Sequence, residues 1–205
     1  MSKPNFLAIS YYTPEYEMFA VRLKANLDRI KVPNDIRQKP SRGSWQSNCA
    51  YKPQYIEDMR AEHKATPLLW IDADATLTKF PEHINDLASN PDLDISVRTS
   101  NTDPPHPWNR IMSGTVYFGI TKRSAYLLKR WNEICTMNPR RWDQVSLAIA
   151  IEQGYKDGSA YILEPLPETY CAVCNKRQSD EQPVIIHWQA SRTMKDKVGD
   201  AGDSE

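Results

Sequence analysis

Two hydrophobic rhythms alternate along the chain. Residues 6–10 form a short apolar run of the kind a buried strand gives, and Thr13-Pro14-Glu15 follows with an N-cap residue, a proline suited to the first helical position and an acid that favours a helix N-terminus. Phe19, Leu23, Leu27 and Ile30 then recur at helical spacing while Arg22, Lys24 and Arg29 fall on the other face, which predicts an amphipathic helix. A second helix is expected from Pro53 to about Lys64, with Ile56 and Met59 inward, ending ahead of Thr66-Pro67 because proline disfavours helix just upstream. Residues 68–71 are wholly apolar, a buried strand, and they deliver Asp72-Ala73-Asp74 at the strand's carboxyl end.

Residues 94–98 and 115–120 carry further strand patterns, separated by a loop with Pro104, Pro105 and Pro107 that would flank a cleft. Thr121 can cap a helix running to about Cys135, inward through Ala125, Leu128 and Trp131. Another helix is expected from near Asp143, with Val145, Ala148 and Ile149 inward, and strands at 161–163 and 184–186 end the series. Beyond about Arg192 no periodic apolar face remains, so the expectation is one domain over 1–192 and a flexible polar tail over 193–205. Strands alternating with helices imply an α/β fold: a single-domain Rossmann-like α/β/α sandwich around a mainly parallel sheet.

Composition narrows this picture. A chain of 205 residues with 40% hydrophobic content can bury one substantial core. Its 26 basic and 26 acidic side chains cancel, which removes the overall positive field of a nonspecific nucleic-acid binder. No apolar run is long enough for a signal peptide or a membrane helix, and four cysteines are too sparse for a disulfide scaffold, so a cytoplasmic protein without membrane contact is expected. Cys171 and Cys174 form half of a zinc-ribbon signature with no second half at suitable spacing.

The acidic pair is the centre of the chemistry. Open α/β sheets bind ligands beyond the carboxyl ends of their strands, where Asp72 and Asp74 stand. Two carboxylates one residue apart can both reach a hard cation, and Mg²⁺ or Mn²⁺ accepts such oxygens together with substrate phosphates. The same residues also resemble the first motif of haloacid-dehalogenase-type phosphatases, with Asp72 as nucleophile and Asp74 as acid/base. That motif normally ends the first core strand, however, and here a strand and two helices come first. The later acids that would complete it, Asp200 and Asp203, lie in the expected tail.

Taken in order, Asp72-Ala73-Asp74, residues 113–118, the helix containing Trp131, the pair Asp143-Gln144 and the late strand ending in His187 resemble the nucleotide-diphospho-sugar transferase family with the A-type glycosyltransferase fold. The likeness spans about residues 6–192. It implies a metal-dependent glycosyltransferase, hexosyl or pentosyl, moving sugar from a nucleoside-diphosphate sugar, most often a UDP-sugar, to a hydroxyl. On this resemblance Asp72, Asp74 and His187 hold Mn²⁺ or Mg²⁺, Tyr11 and Thr13 lie at the donor nucleoside, and Lys52 meets a phosphate as a point charge. Ser113 and Gly114 border the sugar, Arg192 contacts the diphosphate, and Asp143 and Gln144 bind donor-sugar hydroxyls or act as base toward the acceptor.

Each assignment has a plainer counterpart: Tyr11 packing at a strand end, Lys52 a solvated lysine, Asp143 a helix cap, His187 a core histidine bonded to a carbonyl. Compact soluble transferases of this kind include phage enzymes that act on modified DNA bases. The clusters Lys122-Arg123, Lys129-Arg130 and Arg140-Arg141-Trp142 raise a DNA acceptor as a minor alternative to helical surface charge. A silent nucleotide-sugar or nucleic-acid binding module is the remaining alternative.

Overall fold

The structure is a computed structural model that describes residues 4–99, 111–174 and 180–190. The central sheet has six strands: β1 (Leu7–Tyr12), β2 (Asn34–Gln38), β3 (Leu68–Ile71), β5 (Ile95–Thr99), β6 (Ile111–Phe118) and β7 (Leu163–Pro165), in the order β2-β1-β3-β6-β5-β7. β6 runs antiparallel to both its neighbours and the other pairings are parallel, so the mainly parallel sheet expected from the sequence is present. A second sheet of β4 (Ala75–Leu77), β9 (Ile185–His187) and β8 (Ala172–Val173) lies beyond the carboxyl end of β3.

β3 is apolar throughout because both faces of the sheet are covered. Leu68 and Trp70 join a core with Tyr55, Ile56, Met59, Trp131 and Leu147, from α3 (Lys52–Glu62), α5 (Lys122–Met137) and α6 (Asp143–Lys156). Leu69 and Ile71 join the opposite core with Leu23, Leu27, Ile84 and Leu87, from α1 (Glu17–Arg29) and α4 (Glu82–Leu87). Period-two alternation between two apolar faces is indistinguishable from an unbroken hydrophobic run. The result is the three-layered α/β/α sandwich expected from the sequence.

Several elements depart from the sequence expectation. Thr13 makes no side-chain cap bond; its carbonyl accepts the Tyr16 N–H, and a single 3-10 turn over Pro14–Tyr16 precedes α1. β2 has half-buried and exposed positions only, so its polar sequence carried no strand rhythm. α2 (Trp45–Ala50), capped by Ser44 accepting from the Ser47 N–H, fills what looked like loop ahead of α3.

β6 begins at Ile111, four residues earlier than its pattern suggested, and thereby takes Ser113 and Gly114 into the sheet. α6 buries Ser146, Leu147, Ala148, Ala150 and Ile151, leaving Val145 and Ile149 half-buried, because it is pressed between α5 and the sheet. Tyr161 lies ahead of β7 rather than in it, its ring against Gly154. No helix among the described residues is long and apolar enough to cross a membrane. The expected proline loop and polar tail fall outside the described residues.

At Gly154 two effects oppose each other. Alanine would add about 1 kcal/mol of helix propensity. A Cβ there, however, would sit 2.2 Å from the buried Tyr161 ring. Overpacking wins, so Gly154→Ala is expected to lose about 1–3 kcal/mol in urea denaturation, and Gly154→Ala with Tyr161→Leu to recover most of it. A stabilised single variant would show the ring free to move.

Candidate active site

The carboxyl ends of β1 and β3 open on a cavity of about 490 Å³. It gathers Tyr11, Thr13, Lys52, Asp72, Asp74, Ser113, Gly114, Asp143, Gln144 and His187, drawn from the whole length of the chain. Arg192 and its neighbour Ser191 lie outside the described residues.

Lys52, the first residue of α3, is 5% exposed, which excludes a solvated surface lysine. Its Nζ stands 3.0 Å from Asp72 Oδ1 and 2.7 Å from Asp143 Oδ2, and donates to the Ser113 carbonyl at 3.2 Å. An ammonium has three N–H donors, and these partners occupy them. Burial opposes the charge, but Asp143 and Asp72 outweigh it and hold the lysine pKa well above its ordinary range. The ammonium is therefore a brace between two carboxylates, with no N–H left for a phosphate.

Asp143 is the first residue of α6, and Trp142 rather than Asp143 occupies the cap position. Both bonds to its carboxylate, from Lys52 and from the Ser113 hydroxyl at 2.7 Å, converge on Oδ2. Oδ1 is left for a ligand. Gln144, half-buried, lines the cavity beside it.

The acids at the end of β3 likewise each have one oxygen anchored by the protein frame. Asp72 Oδ1 accepts the Trp70 indole N–H at 2.8 Å as well as facing Lys52. Asp74 Oδ2 accepts the Ala190 N–H at 2.8 Å. That bond is possible because Gln189 adopts a left-handed φ of 52°, turning the chain back after β9. Asp74 Oδ1 lies 3.8 Å from His187 Nδ1.

His187 arrives from the far end of the sequence because β9 pairs antiparallel with β4, in a register that sets His187 opposite Ala75. Nε2 lies 2.8 Å from the Thr115 hydroxyl, a side-chain partner rather than the carbonyl expected of a core histidine. That contact leaves Nδ1 on the side of the acids. One ligand atom each from Asp72, Asp74 and His187 lies within 4.8 Å of the other two. Gly114 makes this approach possible, since a Cβ there would come 2.9 Å from His187 Cε1, 3.0 Å from Nδ1 and 3.3 Å from Asp72 Oδ2.

The titration of these groups reflects the crowding. Burial raises the Asp72 pKa above the ordinary carboxylate range, partly offset by Lys52 and His187. Burial acts the same way on Asp74, but His187 and the Ala190 N–H outweigh it and lower the value. Burial pushes His187 down, yet Cys171, Asp74 and Asp72 bring it up to about 10, and the same histidine lowers the Cys171 thiol against its burial. The acids thus draw a positive charge into the space between them. A second group, Asp35, Glu62 and His63, is already filled by the Arg37 guanidinium, which bonds both carboxylates.

Tyr11 is enclosed by Tyr51, Tyr55 and Trp70, with ring centroids 5.2–5.5 Å away, and its hydroxyl donates to the Asn48 carbonyl. The strand-end packing reading thus accounts for most of its ring. Tyr12, beside Tyr11 at the end of β1, lines the cavity too; Tyr16, Trp45 and Asn48 also line it and were missed in the sequence, since nothing in α2 or the 3-10 turn marks them. Cys171 lines the cavity near His187, whereas Cys174 Sγ faces the Trp188 carbonyl.

Replacing Lys52 by methionine keeps the volume and removes the charge between two acids. Breaking a buried pair on one side costs about 3 kcal/mol. The deficit depends on pH with a definite sign: an acid whose folded pKa is raised destabilises the fold above that pKa and ceases to do so when protonated. Lys52→Met is expected to be least stable relative to wild type at neutral pH, with the gap closing as pH falls and Asp72 takes up a proton, as followed by urea denaturation at several pH values. A gap that widens toward acid would contradict the brace.

Three glycosyltransferases of known structure share the architecture. The first, involved in the glycosylation of the major capsid of PBCV-1, superposes with a TM-score of 0.66 at 13% identity, covering 95% of this chain and 98% of its own. GlyE of Streptococcus pneumoniae gives 0.56 at 12% identity, over 90% and 54% of the two chains. Mouse xyloside xylosyltransferase 1 gives 0.51 at 10% identity, over 91% and 98%. No curated protein matches the chain in sequence. The family model for nucleotide-diphospho-sugar transferases matches residues 63–200. This replaces both the phosphatase and the silent-module alternatives, and fits β3 being an interior strand of the sheet rather than the first in the chain. Because that match runs from ahead of β3 through β9 and takes in Asp72, Asp74, Ser113, Asp143 and His187, the chain belongs to the nucleotide-diphospho-sugar transferase family and is a glycosyltransferase.

Proposed function

We propose that the protein transfers a hexose or pentose from a UDP-sugar to a hydroxyl acceptor, with a divalent cation held by Asp72 Oδ2, Asp74 Oδ1 and His187 Nδ1. The observation that carries this is the division of labour within each ligand. Asp72 Oδ1, Asp74 Oδ2 and His187 Nε2 are taken by Trp70 and Lys52, Ala190 and Thr115, while His187 Nδ1 lies 3.8 Å from Asp74 Oδ1 and one ligand atom of each residue is within 4.8 Å of the other two. Such outer contacts orient ligands, and an Nε2–H donating to Thr115 leaves the Nδ1 lone pair for metal. Two oxygens and an imidazole nitrogen suit Mn²⁺ better than Mg²⁺.

When bound, the cation neutralises the negative charge that develops on the diphosphate as the anomeric carbon becomes cation-like. The protein's own groups position the donor. Tyr12, Thr13 and Tyr16 border the cavity at the end of β1 and accommodate the nucleoside, with the exposed edge of Tyr11. Asp143 Oδ1 and the Gln144 amide receive and donate hydrogen bonds at the sugar hydroxyls. Lys52 and Ser113 fix Asp143 in place, so this carboxylate binds and orients, and Lys52 serves as a positioning residue instead of a phosphate contact.

Release of UDP from UDP-sugars is expected to need Mn²⁺ and to stop on chelation. Asp74→Ala should lower the rate at least about 100-fold while the far-UV circular dichroism is unchanged. A folded Asp74→Ala protein with wild-type turnover would refute the metal assignment.

A further inference from the structure

Two large aromatic side chains in the cavity are used by neither the metal ligands nor the donor-sugar cluster. Trp45, the first residue of α2, is half-buried, and Trp142, the cap residue of α6, is 49% exposed. Their rings meet edge to face, with centroids 6.3 Å apart and planes at 90°, and both line the same cavity as Asp72, Asp74 and Asp143. Trp142 directly precedes Asp143, whose carboxylate is anchored by Lys52, so the indole stands on a braced turn.

An indole left half in water beside polar walls is a surface that gains from being covered. The charge around it decides by what. The cavity walls carry three carboxylates, Asp72, Asp74 and Asp143. Among the described residues the cations there are Lys52, whose donors are taken, and His187 between the acids. Within the clusters that raised a DNA acceptor, Arg123 is paired with Asp94, Arg130 with Asp157 and Lys129 with Glu133, while Arg140 and Arg141 stand just ahead of Trp142; none of these, nor Lys122, lines the cavity. Inside the cavity, a phosphate backbone would meet three carboxylates and, among the described residues, no lysine or arginine with a donor to spare. A sugar ring presents an apolar C–H face to an indole and hydroxyls to neutral amides such as Gln144 and Gln189, both in the lining.

We propose that Trp142, supported edge-on by Trp45, is the acceptor subsite, and that the acceptor is an uncharged carbohydrate stacked on Trp142 rather than a nucleic acid. This rests on the transfer reaction proposed for the same cavity. In that reaction the acceptor hydroxyl oxygen bonds the anomeric carbon. The bond from that carbon to the distal phosphate oxygen breaks with its electron pair leaving on UDP, and the hydroxyl proton passes to the departing phosphate, directly or through water.

Saturation-transfer NMR with a panel of methyl hexosides, methyl pentosides and their disaccharides tests the subsite without catalysis. At least one glycoside is expected to bind the wild type through its ring C–H protons, to lose at least tenfold in affinity in Trp142→Ala and to regain most of it in Trp142→Phe. A twelve-nucleotide single strand should not displace it. The assignment is overturned if no glycoside binds, if binding is undiminished in Trp142→Ala, or if the oligonucleotide competes. UDP release measured in parallel with Mn²⁺ judges the transfer reading by itself, since its absence leaves the glycoside result standing or falling on the NMR alone.

Discussion

A single ammonium group ties together four elements of this fold. Lys52, at the start of α3, reaches the acid that ends β3, the acid that begins α6 and a carbonyl of β6. Removed from water, it is tolerable only because two carboxylates and a carbonyl use all its donors, and those carboxylates are tolerable there only because of it. This mutual dependence holds both layers of one face of the sheet at the mouth of the cavity. The Trp70 ring, 5.2 Å from Nζ, adds an aromatic face to the same charge.

From that brace follows the way the site is prepared. Each of Asp72, Asp74 and Asp143 lines the cavity with one oxygen anchored by a hydrogen bond from the protein. A ligand group whose rotamer is fixed before binding loses little entropy on binding. His187 is oriented by the same device, through Thr115. Gly114 contributes by absence, since any side chain there would occupy the space where histidine and aspartate meet. The carboxylates that draw an imidazolium charge into this space in the protein alone are the groups a divalent cation would satisfy.

The cavity divides by chemistry along its wall, with acids and histidine beyond β3, phenols beyond β1, and indoles at α2 and the start of α6. The fold shared with transferases at 10–13% identity fixes the first region through sheet topology. The indoles stand on a short helix and a cap position, places where sequence changes do not disturb the sandwich. On the proposed assignment, specificity for the acceptor can therefore vary while the acids and histidine beyond β3 keep their places.

Much of this was legible in the chain itself. The apolar run 68–71 and the acids after it announce a buried strand carrying a ligand site, because covering both faces of a sheet demands an unbroken apolar sequence and strand ends are where side chains escape the core. Thr121 as a cap and the spacing of Leu128 and Trp131 placed α5 within two residues of its observed end. By contrast β2, α2 and α4 were silent, being short, edge-lying or polar, so that tertiary packing and not local pattern decides them. Local pattern also could not tell that Lys52 is buried, that the Thr115 hydroxyl is the partner of His187, or that Trp45 meets Trp142 across 97 residues of sequence. Periodicity reports which face of one element is buried. Which residues from separate elements converge is set by sheet order and by the β4–β9 register, and these exist only once the chain has closed on itself.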